Sequence, residues 1–285
     1  MADLTVIILT YNEAKNIEAC IRSVLPIAKR ILVLDSFSTD STTSMAQALG
    51  AEVMERAFVS HSDQFTFALE TGNIQTEWVL RLDADERLSE ASQKEIETAL
   101  RLAQNTNIHG FVIPFEVSFL GKRLKHGGIY PFRKMILFRY GHAAMEHRRM
   151  DEHLYLTDGK TKNLKAVCFH HDFKDLSTWI DKHNKYSSKE VLDYQERVSL
   201  AYANTKLHPL AKIRRTLKFK VYYRLPMGFR AGAYFIYRYV FRLGFLDGKA
   251  GLIFAVLQAF WYRFLVDAKL YEAKLKKKEA SHHET

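Results

Sequence analysis

Leu82-Asp83-Ala84-Asp85-Glu86 places two carboxylates one residue apart, shortly after the apolar run 78–80. Carboxylates so spaced at a strand end can face one small volume. That suits a hard divalent cation, Mg2+ or Mn2+, which also takes phosphate oxygens. Such an ion neutralises a departing diphosphate as a Lewis acid. A solvated acidic turn is the alternative for an isolated D-x-D, so its surroundings decide. Asp35 closes the apolar run 31–34. A carboxylate there accepts hydrogen bonds from a ribose or a base edge, or else ends the strand in a turn. Asn12-Glu13 follows the run 4–9 in the same way, whereas Asp40, in Ser38-Thr39-Asp40-Ser41, reads as a helix cap.

Several elements must bring these ends together. Residues 4–9, 31–34, 51–54 and 78–82 have the compact apolar character of buried strands. Residues 14–24 carry Ile17, Cys20, Ile21 and Val24 at helical spacing; a second helix is capped near 38–41 and stopped at Gly50, and a third spans 64–70. Strand–helix alternation predicts an α/β fold, a mostly parallel sheet with helices on both faces. Ligands of such sheets bind beyond the carboxyl ends of the strands, which is where all three acidic clusters fall. From 110 to 171 the pattern changes to short strands separated by basic and glycine-containing loops, and 175–198 is helical again. Composition shifts near 201–209, predicting a catalytic domain over 1–204 and a helical region over 205–285.

The chain has 285 residues, 47% hydrophobic and 26% charged, enough to bury a core. Its net charge of +10 is unevenly spread. Residues 201–285 hold 17 basic and 5 acidic side chains, while 1–200 hold 25 and 27. The C-terminal part also has 17 of the 36 aromatic residues. A uniformly basic nucleic-acid-binding protein is disfavoured. Cys20 and Cys168 cannot form a disulfide framework and read as buried thiols of a reducing compartment. The N-terminal run reads as a strand rather than a secretory signal.

Three segments carry a resemblance. Val6-Ile7-Ile8-Leu9-Thr10-Tyr11-Asn12-Glu13, Val33-Leu34-Asp35-Ser36-Phe37-Ser38-Thr39-Asp40-Ser41-Thr42 and Leu80-Arg81-Leu82-Asp83-Ala84-Asp85-Glu86 are similar, in order and spacing, to the nucleotide-sugar motifs of glycosyltransferase family 2. The resemblance implies a GT-A fold, Rossmann-like, with a mixed, mostly parallel sheet. It also implies a nucleoside-diphosphate sugar donor and an inverting mechanism. Donor contacts then fall to Thr10, Tyr11, Asn12, Glu13, Asp35 and Asp83, with Gln64 as a further donor-side residue. Ser36 stands where the family often has a second acid. Further on, residues 121–131, Met150-Asp151-Glu152-His153-Leu154 and His183-Asn184-Lys185-Tyr186-Ser187-Ser188 resemble a bacterial subgroup of lipopolysaccharide core and exopolysaccharide enzymes. In that subgroup a His-Glu pair matches Asp151-Glu152, implying Glu152 as base and Asp151 as second choice. Inverting transfer needs such a base within reach of the acceptor hydroxyl, and one of two adjacent carboxylates can have a raised pKa. His170, after the apolar strand 164–169, could complete the coordination of a metal held by Asp83 and Asp85, or be structural. Arg133 and Arg139 could meet a phosphate-bearing acceptor.

Residues 206–220 contain six basic and no acidic side chains, and residues 231–245 interleave rings with Arg238 and Arg242. That mixture suits an anionic membrane surface. The apolar stretch 252–266 is interrupted and shorter than the ~18 residues a span requires, so it reads as an interfacial helix. A cytoplasmic enzyme held peripherally at the inner face of the bacterial cytoplasmic membrane, acting on a lipid-linked saccharide, joins the two halves. A polyprenyl-phosphate sugar synthase, a nucleotidyltransferase and a non-catalytic membrane-surface module compete with it; nucleic acid is the weakest partner.

Overall fold

The computed structural model describes residues 2–146, 152–170, 175–195, 216–217 and 222–283. Chain packing divides them into two compact units. One comprises Met1–Ser118, Pro131–His147 and Glu152–Asp172; the other comprises Phe119–Tyr130, Arg148–Asp151 and Phe173–Thr285. The expected boundary at 204/205 lies outside the described residues.

The first unit is built on strands that bury both faces. β1 (Leu4–Thr10) is buried along its whole length. Its alternate side chains supply two cores, because successive strand residues point to opposite faces. Leu4, Val6 and Ile8 pack with Ile17, Ile21 and Val24, while Ile7 and Leu9 pack with Phe65 and Ala68. Each such aliphatic side chain, fully buried, contributes about 1.5–3 kcal/mol. Flanking β1 are β2 (Arg30–Asp35), β3 (Glu52–Glu55) and β4 (Trp78–Asp83), all running parallel. α1 (Ile17–Arg22), α2 (Thr42–Ala48) and α4 (Glu90–Ala103) give Ile17, Ala46 and Ile96 to one face; α3 (His61–Thr71) covers the other.

Short strands then close the unit: β5 (Glu86–Leu88), β6 (Ile108–Phe119), β8 (Phe132–Arg139), β9 (Ala143–Met145), β10 (Leu154–Leu156), β11 (Lys160–Asn163) and β12 (Cys168–His170), with β7 (Lys122–Arg123) in the second unit. The order across the sheet is β3-β2-β1-β4-β8-β6-β12-β5, and β9 and β10 form a separate hairpin. β8 is antiparallel to both β4 and β6, and β5 to β12; the sheet is therefore mixed and mostly parallel, as the sequence implied. α4 was not anticipated, although Ile96, Ala99, Leu100 and Ala103 mark its buried face at helical spacing. Both cysteines are buried, and burial pushes their thiols well above the ordinary range, so neither is a nucleophile at neutral pH.

The second unit is helical. α5 (Leu176–Gln195) packs Val191 with Tyr262, Val266 and Leu270 of the C-terminal helices. Buried charges are paired there. Glu190 accepts from Tyr223 Oη at 2.6 Å, Tyr262 Oη at 2.7 Å and Arg263 Nη1 at 2.8 Å. Asp247 accepts from the backbone N–H of Lys125 and His126. The helical run Gly244–Glu279 is, by length and composition, long and apolar enough to cross a membrane, with 39% of its apolar window buried. It is thus longer than the interrupted stretch 252–266 suggested. Its packing is sided: Ala250, Ala255, Ala259 and Tyr262 face inward, whereas Leu252, Val256, Phe260 and Phe264 are exposed. Large apolar side chains thus lie on both sides, with Tyr262, Val266 and Leu270 in the core, and the outer face is an exposed apolar patch.

Candidate active site

Parallel pairing sets the carboxyl ends of β1, β2 and β4 side by side: Thr10 lies opposite Asp35, and Leu9 opposite Asp83. The loop after β1 turns at Asn12, whose φ of +51° is in the left-handed region that Asn tolerates. Asn12 and the segment after β2 hold each other. Asn12 N donates to Ser38 Oγ at 2.8 Å, and Thr39 N donates to Asn12 Oδ1 at 2.8 Å. Glu13 N donates to Thr42 Oγ1 at 2.9 Å, and Glu13 accepts from Asn16 Nδ2 at 2.7 Å.

Asp35 is fully buried, and its two oxygens accept from Ser38 N at 2.6 Å and Ser38 Oγ at 2.5 Å. Gln64, in the first turn of α3, is buried. It donates through Nε2 to Ser36 Oγ at 3.1 Å and to Arg56 O at 3.0 Å. Both side chains therefore shape the loop 36–39 from beneath. Asp40, read as a helix cap, lies one residue ahead of the N-cap, Ser41, and accepts from Thr42 N at 3.0 Å. Tyr11 projects outward, 56% exposed, as does Phe37.

Beyond β4 the chain turns through Ala84-Asp85 into β5. Antiparallel pairing of β5 with β12 sets His170 opposite Glu86, and His170 Nε2 lies 3.3 Å from Asp85 Oδ2. Asp83, Asp85 and His170 are thus brought to one locus. Three residues that sequence reasoning passed over complete it. Glu86 is 2% exposed; its Oε2 accepts from Asp83 N at 3.0 Å and its Oε1 pairs with Lys134 Nζ at 2.8 Å. Arg81 Nη2 lies 3.2 Å from Asp83 Oδ1. Lys134 also sits over the Phe115 ring at 4.4 Å.

Electrostatics follow from these contacts. Burial pushes Asp83 up, but the charges of Arg81 and Lys134 outweigh it and hold the carboxyl below its ordinary range. Burial raises Glu86, and Lys134 only partly offsets that. Burial also works to lower Lys134 and His170; Glu86 and Asp83 reverse the sign at Lys134, and Asp85 reverses it at His170. Cations placed behind the cluster thus favour the ionised form of Asp83, while burial favours the neutral form of Glu86. Two carboxylates with one imidazole are a donor set that Mg2+ and especially Mn2+ accept.

Glu152 is half-buried just ahead of β10, whose Leu154 pairs with Met145. Asp151 lies outside the described residues, as does most of the basic run 206–220. Arg139 corrects one expectation. Its side chain pairs with Glu77 at 2.5 Å and covers Trp78 at 5.0 Å, at the opposite end of β4 from Asp83. Because β8 runs antiparallel to β4, the last residue of β8 cannot reach the carboxylate edge. Arg133, further back in β8, donates to Leu164 O at 3.4 Å.

Residues 5–155 match the family model described as Glycosyl transferase family 2. An uncharacterized glycosyltransferase of Rickettsia typhi is 28% identical over 285 residues, covering 97% of this chain and 89% of the relative. One of Rickettsia felis is also 28% identical, covering 98% and 93%. Among solved structures, a mannosyltransferase of Pyrobaculum calidifontis in complex with GDP-Man and Mn2+ superimposes with a TM-score of 0.55. It is 17% identical, and the match covers 96% of this chain and 86% of that one. This likeness establishes the shared fold.

Proposed function

The chain belongs to glycosyl transferase family 2, and from that premise we propose that it moves a sugar, with inversion, from a nucleoside-diphosphate sugar to a lipid-linked saccharide. The donor is a UDP-sugar in the first instance, and the product is a lipopolysaccharide or exopolysaccharide precursor of a bacterial surface. The observation that carries this reading is the meeting of Asp83, Asp85 and His170 beyond the carboxyl ends of parallel strands, with Glu86 and Lys134 behind them.

Asp83, Asp85 and His170 would hold Mg2+ or Mn2+, which when bound supplies charge neutralisation for the departing diphosphate. The remaining chemistry belongs to the chain. Asp35, Asn12 and Gln64 fix the loop 36–39, and with Thr10 and Glu13 they frame a nucleotide pocket that is already organised before the donor arrives. Tyr11 offers an exposed ring for a base to stack on. Glu152 takes the proton of the acceptor hydroxyl as that oxygen bonds to the anomeric carbon and the bond to the diphosphate breaks. A positioned base of this kind is worth about 10²–10⁴-fold. Asp151, its neighbour, is the second choice for the role.

The membrane side of the proposal is supported by the outward-facing Phe229, Phe241, Val256, Phe260 and Phe264 of the second unit, together with the +12 charge of residues 201–285. Large apolar groups among cations favour an anionic interface over bulk water. Peripheral adsorption at the cytoplasmic face would put the enzyme beside lipid-linked acceptors while soluble donor arrives from the cytosol.

The test is a panel of UDP- and GDP-sugars incubated with the protein, Mn2+ and a lipid-linked saccharide extract. Release of nucleoside diphosphate with one sugar, stimulated by the extract, is expected. Release of a sugar 1-phosphate would mean nucleotidyl transfer instead, and stimulation by polyprenyl phosphate alone would replace the saccharide acceptor.

A further inference from the structure

At the sheet edge away from Asp83, a second group of ligating side chains takes no part in the chemistry above. Trp78, the first residue of β4, lies opposite Arg139, and Gly110 lies opposite Phe138. That edge is separated from Asp83 by five residues of strand, roughly 16 Å. There, His109 enters along β6, His142 lies in the turn after β8, and Asp158 lies in the turn between β10 and β11. Asp158 Oδ1 is 3.1 Å from His109 Nδ1 and 2.6 Å from His142 Nδ1. The two imidazole rings have centroids 4.0 Å apart at 49°, and one ligand atom from each of the three residues falls within 4.8 Å of the others.

The backbone is shaped for this meeting. Gly159 has φ +76°, and a Cβ there would stand 2.3 Å from His109 Nδ1, so only glycine lets the turn approach the ring. Thr157 N donates to His142 O, and Lys160 N donates to Asn107 O, which binds the turn to both histidine-bearing segments. The hydrogen bond from His142 leads the interactions that hold Asp158 below the ordinary carboxylate range.

We infer that His109, His142 and Asp158 form a binding site for a divalent ion of the zinc class, remote from the transfer site. Two imidazoles and one carboxylate are borderline donors that favour Zn2+ over Mg2+ or Mn2+. Ligands about 2.0–2.1 Å from a tetrahedral zinc sit roughly 3.3 Å from one another. The 3.1 Å contact is near that spacing, and the 2.6 Å contact opens by rotation of a carboxylate that is 58% exposed. Solvent reaches that carboxylate and supplies the fourth ligand. The ion ties together three segments distant in sequence, so its role is that of a clip for the edge of the sheet. A plain ion pair of the same three groups has no affinity for metal, and this separates the two explanations.

The experiment uses the full chain with His282 and His283 changed to alanine, which removes the terminal histidine pair as a competing chelator. Co2+ titration followed by Zn2+ competition should show one equivalent bound, with the visible bands of tetrahedral cobalt. His142→Ala and Asp158→Asn should each weaken binding at least ~tenfold. Zn2+ should raise the thermal midpoint of the parent and leave both variants unmoved, and turnover with Mg2+ should be the same in all three. Absence of a tetrahedral cobalt spectrum, or binding that survives both substitutions, would overturn the assignment.

Discussion

Asp85→Asn should reduce sugar transfer by about three orders of magnitude, roughly 4 kcal/mol of transition-state stabilisation. The amide keeps the size of the side chain and can still meet His170, 3.3 Å away. What it loses is one negative charge at the point where a divalent ion and a diphosphate must be held together. Folding should not suffer. Asp83, Asp85 and Glu86 crowd three acids into four residues, and Asp85 adds to the burial-driven rise of Glu86. Removing one charge relieves that repulsion, so the urea midpoint should stay level or rise. A variant that turns over within threefold of the parent would refute the metal assignment of Asp85; one that unfolds early would mean that Asp85 is structural.

In the second unit the largest effect should come from Asp267→Ala, with a loss of about 3–5 kcal/mol in unfolding free energy. Arg230 and Asp267 are both almost fully buried, and Arg230 Nε donates to Asp267 Oδ1 at 2.7 Å. Asp267 also accepts from Gly228 N at 2.9 Å, where the helix Phe229–Ile236 begins. Tyr222 and Tyr223 lie against the guanidinium with ring centroids 5.3 and 4.9 Å away. Truncating the carboxylate strands a cation that water cannot reach. Replacing both partners together, as Arg230→Met with Asp267→Leu, should recover most of the loss, because the penalty is for the unpaired charge rather than for the missing bridge. Urea titration of the two variants beside the parent measures this. A single variant within 1 kcal/mol of the parent would show that the pair is solvated.

The parallel half of the sheet was legible because its strands are buried on both faces and read as continuous apolar runs ending abruptly in acid. β1, β2 and β4 end at or within a residue of where those runs stop, and the D-x-D stands just past one of them. What lay out of reach was set by pairing across long loops. Lys134 meets Glu86 across 48 residues, through an antiparallel strand whose direction no local pattern gives. The same reversal explains why Arg139 lies at the wrong edge and Lys134 at the right one. Asp35 and Gln64 were visible as polar residues at useful places, but the sequence could not show that their oxygens and amide are engaged by Ser38 and Ser36. His109, His142 and Asp158 have no motif spacing at all; one strand and two turns of the fold bring them together. In the C-terminal region composition pointed to a surface role, whereas which face carries the exposed Leu252, Val256, Phe260 and Phe264 needed the packing.

Calorimetric titration of UDP and GDP into the protein, with Mn2+ and with the ion chelated, tests most directly whether the carboxylates beyond β4 hold a donor diphosphate through a divalent ion. One of the two nucleotides should bind at least ~tenfold more tightly with Mn2+, a difference of about 1.4 kcal/mol, and Asp85→Asn should abolish the difference. Equal affinity with and without the ion, or a metal effect that persists in Asp85→Asn, would contradict it.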